Sequence, residues 1–207
     1  SARRVPGSPL PPSSTSNDPR LAQSRTGMVT SPHTLASEAG AKVLREGGNA
    51  IEAAIAMGAV IAVTYPHFCG IGGDAIWMIA DAQGRNTVLL GLGQAAEKLP
   101  NYKEPIAARG PQSTVVSAGA VDSWRQAYDY AREHWASDKG ETRSFASLLE
   151  PAIVYAERGF PVTGSQLFWT SFREKELAGW PGFSKLFLPG GKAPKPGDLF
   201  VQKDLAH

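Results

Sequence analysis

Apolar residues recur at helical spacing in the first ordered part of the chain, over Leu35–Leu44. Ser31 has the residue type of an N-cap, Pro32 suits the first helical position, and Gly47 suits the residue after the helix. The pattern therefore predicts a helix that begins at Pro32 and ends before Gly47. A short strand over 27–30 is predicted to precede it.

The next segment, Ala50–Val63, is apolar on every face, since it consists almost wholly of Ala, Ile, Val and Met. Asn49 and Glu52 are spaced like a capping box at its start. A helix without a polar face must be covered on all sides by other elements. The sequence therefore predicts a central helix.

A glycine-rich loop, Gly70–Gly73, follows this helix and leads into two apolar runs of strand length, Ala75–Ala80 and Asn86–Leu92. The intervening Asp81–Arg85 predicts a hairpin turn with Gly84 at a left-handed position. Both runs are nearly continuous in apolar residues, so we expect layers of helix on a sheet covered on both faces. A phosphate cradle would need strand, glycine turn and helix in that order, so close backbone packing is the preferred role of these glycines.

Further along, the pattern predicts one more strand and three more helices. These are the strand Ser113–Ser117 and helices over Asp122–Trp135, Ser144–Gly159 and Leu167–Leu177. Pro151 should kink the second of these helices or begin a new segment. Asp204–Ala206 has the composition of a helix start, and we expect the chain to be part of a longer one.

The composition, 207 residues with 42% apolar and 19% charged, is that of one compact domain. Residues 1–26 are rich in Pro and Ser and are expected to form an extended or disordered arm, which leaves residues 27–207 for the domain. The net charge of +2 is scattered, so neither nucleic acid nor an anionic membrane is expected as a partner.

The longest apolar run, Ala53–Val63, is shorter than the ~20 residues of a membrane span. The N-terminus carries no segment of signal-peptide type, which favours a cytoplasmic location; a periplasmic or secreted location after removal of a signal is the alternative.

Candidate chemistry within the chain is sparse. Cys69 and His67 could form a nucleophile and base, but residues two apart in an extended chain stand roughly 7 Å from each other. A lone cysteine in an apolar loop is more often a small buried hydrophobe. The single cysteine excludes an internal disulfide, and the four histidines are widely spread, so neither a metal site nor another cofactor is expected.

Four sequence blocks stand in a recognisable order. They are Gly47–Ala56, Pro66–Gly73, Pro151–Val162 and Pro196–Gln202. With the segments between them they cover residues 27–206, and through them the chain resembles the γ-glutamyltranspeptidase family. Several blocks in register make this resemblance more specific than a single glycine motif.

The resemblance implies an N-terminal-nucleophile hydrolase of the α+β class, a four-layer αββα sandwich completed by a second chain. In that family a precursor cuts itself, and the new N-terminal threonine of the small subunit is the nucleophile, with its α-amine as base. This chain resembles the front part of the large subunit, so no catalytic residue is expected in it. The implied partners are the small subunit of the same precursor and a small-molecule amide, and a dimer of such heterodimers is a further expectation.

One departure from the family concerns substrate recognition. Family transpeptidases carry an Arg-Glu pair after the second strand, and the arginine clamps the α-carboxylate of the glutamyl group. Threading without gaps from Arg85 places Gly93 at the arginine and Gln94 at the glutamate, which makes these two the candidate substrate-binding residues. Glycine cannot replace a bidentate arginine, and loss of such a charge partner costs roughly 2–5 kcal/mol.

Three hypotheses follow. The preferred one is an amidohydrolase of a small non-glutamyl amide, such as oxamate, in the manner of oxamate amidohydrolases and glutaryl-cephalosporin acylases. The second is a genuine γ-glutamyltransferase or glutathione hydrolase that holds the carboxylate with another residue, Arg109 or Arg85. The third is a non-catalytic homologue.

Overall fold

The computed structural model describes residues 24, 26–98, 101, 106, 108–110, 113, 117–135 and 143–207. The helices are α1 (Thr34–Arg45), α2 (Ala50–Thr64), α3 (Ala120–His134), α4 (Phe145–Arg158), α5 (Gly164–Leu177), α6 (Pro181–Phe187) and α7 (Lys203–Ala206). The strands are β1 (Ala75–Ala80), β2 (Asn86–Gly91), β3 (Phe160–Pro161) and β4 (Leu199–Phe200). They form two antiparallel pairs, β1 with β2 and β3 with β4. The mixed content agrees with the α+β expectation.

The start of α1 differs from the sequence-based prediction. The N-cap is His33, whose Nδ1 accepts a hydrogen bond from the Leu35 N–H at 3.2 Å. The helix therefore begins at Thr34, and Pro32 lies outside it. The Ser31 hydroxyl instead donates to the His33 carbonyl at 2.7 Å and accepts from the His33 N–H at 3.4 Å, so its contacts are with the residue before the helix. The predicted strand over 27–30 is wrong as well, because these residues are irregular.

Helix α2 confirms the predicted capping box and the central position. The Asn49 side chain accepts from the Glu52 N–H, and the Glu52 carboxylate accepts from the Asn49 N–H, each at 2.9 Å. Ile55 and Val60 are fully buried, and α2 packs against α1, α3 and α4. At its last residue, the buried Thr64 hydroxyl donates to the Val60 carbonyl at 2.9 Å, so no polar group is left unpaired there.

Glu52 also joins α2 to the segment before α4. Its Oε1 accepts from the Arg143 N–H at 3.1 Å, while the residue is only 3% exposed. The Arg143 guanidinium donates to the carbonyl of Glu46 at 2.9 Å and pairs with the Glu46 carboxylate at 3.2 Å. The buried carboxylate is therefore satisfied by backbone donors, and the guanidinium by the end of α1.

The hairpin β1–β2 has the predicted turn, with Gly84 at φ 82°. Its inner face packs on α3, where the Trp77 Nε1 donates to the Ser123 hydroxyl at 3.1 Å. The outer face is exposed in this chain by itself, so the predicted cover on both faces would need residues beyond this chain. The residues of that outer face pair across the strands and are 57–86% exposed: Ile76, Met78, Val88 and Leu90.

The remaining elements lie close to their predicted places. Helix α3 begins two residues earlier than expected, α4 has Ser144 as its N-cap and ends at Gly159 with φ 88°, and α5 begins three residues earlier than expected. Helix α4 continues through Pro151, so the alternative of a new segment at that residue is wrong. The predicted strand Ser113–Ser117 lies mostly outside the described residues, as does the arm over 1–26. Within the described ranges, no helix combines the length and apolar character that a membrane span requires.

Replacing Glu52 by alanine in the complete protein should lower the free energy of unfolding by about 2–3 kcal/mol, because the Asn49 and Arg143 N–H groups lose their acceptor. Glu46→Ala is the matched control, since it removes a half-exposed partner of the same arginine and should cost less than about 1 kcal/mol. Chemical denaturation measures both. Equal losses in the two variants would contradict the central role of Glu52.

Candidate functional site

The loop before β1 is held by the start of α3. The Gly73 carbonyl accepts from the Gly119 N–H at 3.1 Å and from the Ala120 N–H at 2.9 Å. Helix α3 has no side-chain cap, so a backbone carbonyl from the loop takes up two of its free N–H groups. This contact brings the loop, the end of β2 and the start of α3 to one place.

Close backbone packing occurs here, but not at the predicted glycines. A Cβ on Gly70 or Gly72 would have no atom within 4 Å, and neither has a positive φ, so close packing within the described part of the chain does not explain them. In contrast, a Cβ on Gly91 would lie 2.4 Å from the Ser123 Cβ, and one on Gly119 would lie 2.4 Å from the Gly91 oxygen. The end of β2 thus crosses the start of α3 at two glycines that the sequence analysis did not single out for packing.

The candidate residues Gly93 and Gln94 follow directly after this crossing. The Gly93 N–H donates to the Asp74 Oδ1 at 2.7 Å. The Gln94 N–H donates to the Ser117 hydroxyl at 2.9 Å, and the Gln94 carbonyl accepts from the Ser117 N–H at 3.1 Å. The backbone of both residues is therefore fixed, while Gly93 is half-buried and the Gln94 side chain is exposed.

Asp74 and Ser117 are members of this site that sequence reasoning missed. For Asp74 a signal was present, because the family motif has a third glycine where this chain has Asp74 after Gly72-Gly73. For Ser117 there was none, since its contact with Gln94 joins residues 23 positions apart.

The two arginines considered as substitute clamps are both in ion pairs. Arg85 lies at the turn, whereas Gly91 pairs with Ala75 at the opposite end of the hairpin, and strands of this length separate the two ends by roughly 17 Å. The Arg85 guanidinium binds the Asp81 carboxylate at 2.5 Å and the His134 carbonyl at 3.2 Å.

The Arg109 guanidinium binds the Glu176 carboxylate of α5 at 2.5 Å. Hydrogen bonding from Arg109, together with Arg173, lowers the pKa of Glu176 below its ordinary value. Arg109 is therefore committed to a carboxylate of its own chain.

His67 and Cys69 do not form a catalytic pair. The His67 Nε2 lies 3.0 Å from the Ser165 hydroxyl, and its ring packs against Tyr65 at a centroid distance of 4.1 Å. Burial, with a smaller contribution from His33, lowers the pKa of His67. Burial also raises the pKa of the Cys69 thiol, which keeps it protonated at neutral pH. Both effects fit a structural turn.

Within the described ranges, no three His, Cys, Asp or Glu residues lie close enough together to hold a metal ion. The geometry of the candidate site is therefore a fixed backbone edge with one exposed amide, Gln94, and one carboxylate, Asp74. It holds no cationic side chain within bonding distance of Gly93 or Gln94 in the described part of the chain.

Known proteins resemble the chain over most of its length. It is 42% identical over 184 residues to the oxamate amidohydrolase proenzyme of Klebsiella pneumoniae, covering 87% of this chain and 34% of that protein. It is 40% identical over 185 residues to the glutathione hydrolase-like YwrD proenzyme of Bacillus subtilis, covering 86% of this chain and 33% of that protein. The chain thus spans about a third of the length of these curated relatives.

A solved structure shares the fold. The crystal structure of Helicobacter pylori gamma-glutamyltranspeptidase superposes with a TM-score of 0.76 at 31% identity, covering 90% of this chain and 53% of that one. The family model described as gamma-glutamyltranspeptidase matches residues 36–207. This span contains Gly91 and Gly119, at which β2 crosses α3, and the Gly93–Gln94 edge. The chain therefore belongs to the gamma-glutamyltranspeptidase family.

Proposed function

We propose that this chain is the front part of the large subunit of an amidohydrolase that acts on a small non-glutamyl amide such as oxamate. The observation that carries the proposal is that the side chain bound to the backbone at Gly93 is the carboxylate of Asp74. It lies at the edge where the ungapped threading puts Gly93 and Gln94 at the positions of the family's arginine and glutamate. The similarity to an oxamate amidohydrolase proenzyme supports it.

In the proposed reaction the nucleophile comes from the second chain. The N-terminal threonine of the small subunit attacks the amide carbon, its α-amine takes the hydroxyl proton, and the amine product leaves as an acyl-enzyme forms. Water then releases the acid. The large subunit contributes a binding wall, whose fixed part is the backbone of Gly93 and Gln94 and whose adaptable neutral group is the Gln94 amide.

A short acyl group does not need the missing clamp. In a γ-glutamyl group the α-carboxylate is four bonds from the acyl carbon, whereas in an oxalyl group the carboxylate is attached to it directly. An arginine at the clamp position would therefore bind the carboxylate of the γ-glutamyl group but not that of the oxalyl group. Since Arg85 lies at the far end of the hairpin and Arg109 is paired with Glu176, neither supplies an obvious replacement.

The second candidate function is a γ-glutamyltransferase or glutathione hydrolase. The fold similarity to Helicobacter pylori gamma-glutamyltranspeptidase and the similarity to a glutathione hydrolase-like proenzyme favour it. It would require a cationic group from residues other than those that bind Gly93 and Gln94 here.

The second chain is also expected from the uncovered sheet. A two-stranded hairpin is marginal by itself, and the outer face of β1–β2 presents four paired apolar side chains to solvent. We propose that the small subunit of the same precursor covers this face and adds strands to it, which would complete the four-layer αββα sandwich.

Steady-state kinetics test the proposed function. The complete processed protein should release ammonia from oxamate with a kcat/KM well above that for γ-glutamyl-p-nitroanilide, because only the longer substrate loses the carboxylate clamp. Mass spectrometry of the same sample should show a second chain that begins with threonine. Efficient turnover of the glutamyl substrate with no activity on oxamate would favour the second candidate instead, and absence of the threonine chain would favour a non-catalytic homologue.

Restoring the clamp should restore glutamyl recognition. In the double variant Gly93→Arg with Gln94→Glu, KM for γ-glutamyl-p-nitroanilide should fall by at least about tenfold, since a bidentate arginine–carboxylate contact contributes more than about 1.4 kcal/mol. Gly93 has no positive φ, so its backbone admits a side chain. Gly93→Gln with Gln94→Glu is the control of similar bulk without the charge. The same KM in both variants would show that the threading is wrong at this point.

A charge on the outer face of the hairpin should disrupt the two-chain assembly. Met78 is 86% exposed, and Met78→Lys should reduce the yield of the two-chain complex in size-exclusion chromatography, because a buried lysine would lose its hydration. Met78→Leu keeps the face apolar and should assemble normally. If the lysine variant also assembles normally, the small subunit does not cover this face.

A further inference from the structure

Asp74 is anchored beside the candidate site by one of its two carboxylate oxygens. Its Oδ1 accepts the Gly93 N–H at 2.7 Å, and the residue is exposed. In the described part of the chain, Oδ2 accepts no hydrogen bond and no Lys or Arg lies in an ion pair with this carboxylate. A negative charge is therefore anchored next to Gly93, with no countercharge among the residues that the structure describes.

Two N–H groups at the start of α3 are not free to offset this charge. The N–H groups of Gly119 and Ala120 would be available to bind a ligand's carboxylate, but both donate to the Gly73 carbonyl. The backbone carbonyl of Gly73 thus occupies two donors that a ligand carboxylate could otherwise use.

Like charges at close range lower affinity. Two carboxylates about 4–5 Å apart near the surface repel by roughly 1 kcal/mol or more, which corresponds to roughly a fivefold to tenfold loss in binding. An acyl group that reaches Gly93–Gln94 and ends in a carboxylate meets this repulsion. One that ends in a methyl group does not.

We propose that Asp74 is a specificity-determining residue, which excludes by charge repulsion acyl groups that carry a terminal carboxylate at the Gly93–Gln94 edge. It restricts the protein to acyl groups that are short or uncharged at that end. The inference rests on the proposed function in one respect, since it assumes that the acyl group of the substrate lies against this edge.

The test compares two anilides that differ in one end group. Glutaryl-p-nitroanilide ends in a carboxylate and pentanoyl-p-nitroanilide ends in a methyl group, and their kcat/KM values are measured with the complete processed protein. Where turnover is slow, Kd values from titration calorimetry replace them. In Asp74→Asn the kcat/KM for glutaryl-p-nitroanilide divided by that for pentanoyl-p-nitroanilide should rise roughly fivefold to tenfold. The reason is that asparagine keeps an acceptor for the Gly93 N–H and removes the charge.

Two further measurements separate charge from structure. Asp74→Ala removes the charge and the anchor together, so its ratio should rise as in Asp74→Asn. In the unmodified protein the ratio should also rise with salt, since screening weakens repulsion between exposed charges. An unchanged ratio in Asp74→Asn would overturn the proposal, and a change confined to Asp74→Ala would do so too, because it would show that Asp74 only anchors the backbone.

Failure of the proposed function would look different. If the protein does not hydrolyse oxamate and yet Asp74→Asn changes the glutaryl-to-pentanoyl ratio, the role of Asp74 stands and the assigned substrate is wrong. If oxamate is hydrolysed and the ratio is unchanged, the proposed function stands and the role of Asp74 is wrong.

Discussion

Helix α2 can be buried on almost every side because its one charged residue, Glu52, has both carboxylate oxygens bound by backbone N–H groups. An unpaired carboxylate at 3% exposure would destabilise the core by several kcal/mol. With the charge satisfied, the alanine and isoleucine side chains of α2 can pack against α1, α3 and α4. Helix α3, which lies beside the candidate site, is one of the elements that pack on this buried helix.

The path from the core to the site runs through α3. Trp77 of β1 donates to Ser123, and Gly91 and Gly119 let the end of β2 approach the start of α3 more closely than any side chain would allow. The Gly73 carbonyl then fixes the loop before β1 to the same helix end. Gly93 and Gln94 are therefore placed by rigid neighbours, and a binding wall built in this way needs little reorganisation when a ligand arrives.

The charge pattern at this wall is the feature on which the proposed specificity depends. Among the described residues no cationic side chain is in bonding contact with the wall, and the carboxylate of Asp74 binds it at Gly93. Under the proposed function these two features act in the same direction, since without a cation there is no attraction for a substrate carboxylate and Asp74 repels it. Both leave the scaffold intact, because neither touches the core around α2.

The sequence by itself determined the strongly patterned elements. Helix α2, its capping box, the hairpin with Gly84 in its turn and the long helices α3 to α5 follow from local periodicity and capping, which act over a few residues. Sequence reasoning misplaced the start of α1, because His33 competes with Ser31 as the cap. It also missed β3 and β4, which are two residues long and exist only through pairing over 40 positions.

Gly93 and Gln94 are predicted from the sequence by comparison with a motif, whereas the contacts of Asp74 and Ser117 with them are seen only in the structure. Only the tertiary structure decided which glycines pack closely and which face of the hairpin is open. The physical reason is the separation of the interacting residues along the chain. Capping and periodicity depend on neighbouring residues, whereas contacts across 19 to 23 positions form only when the core brings distant segments together.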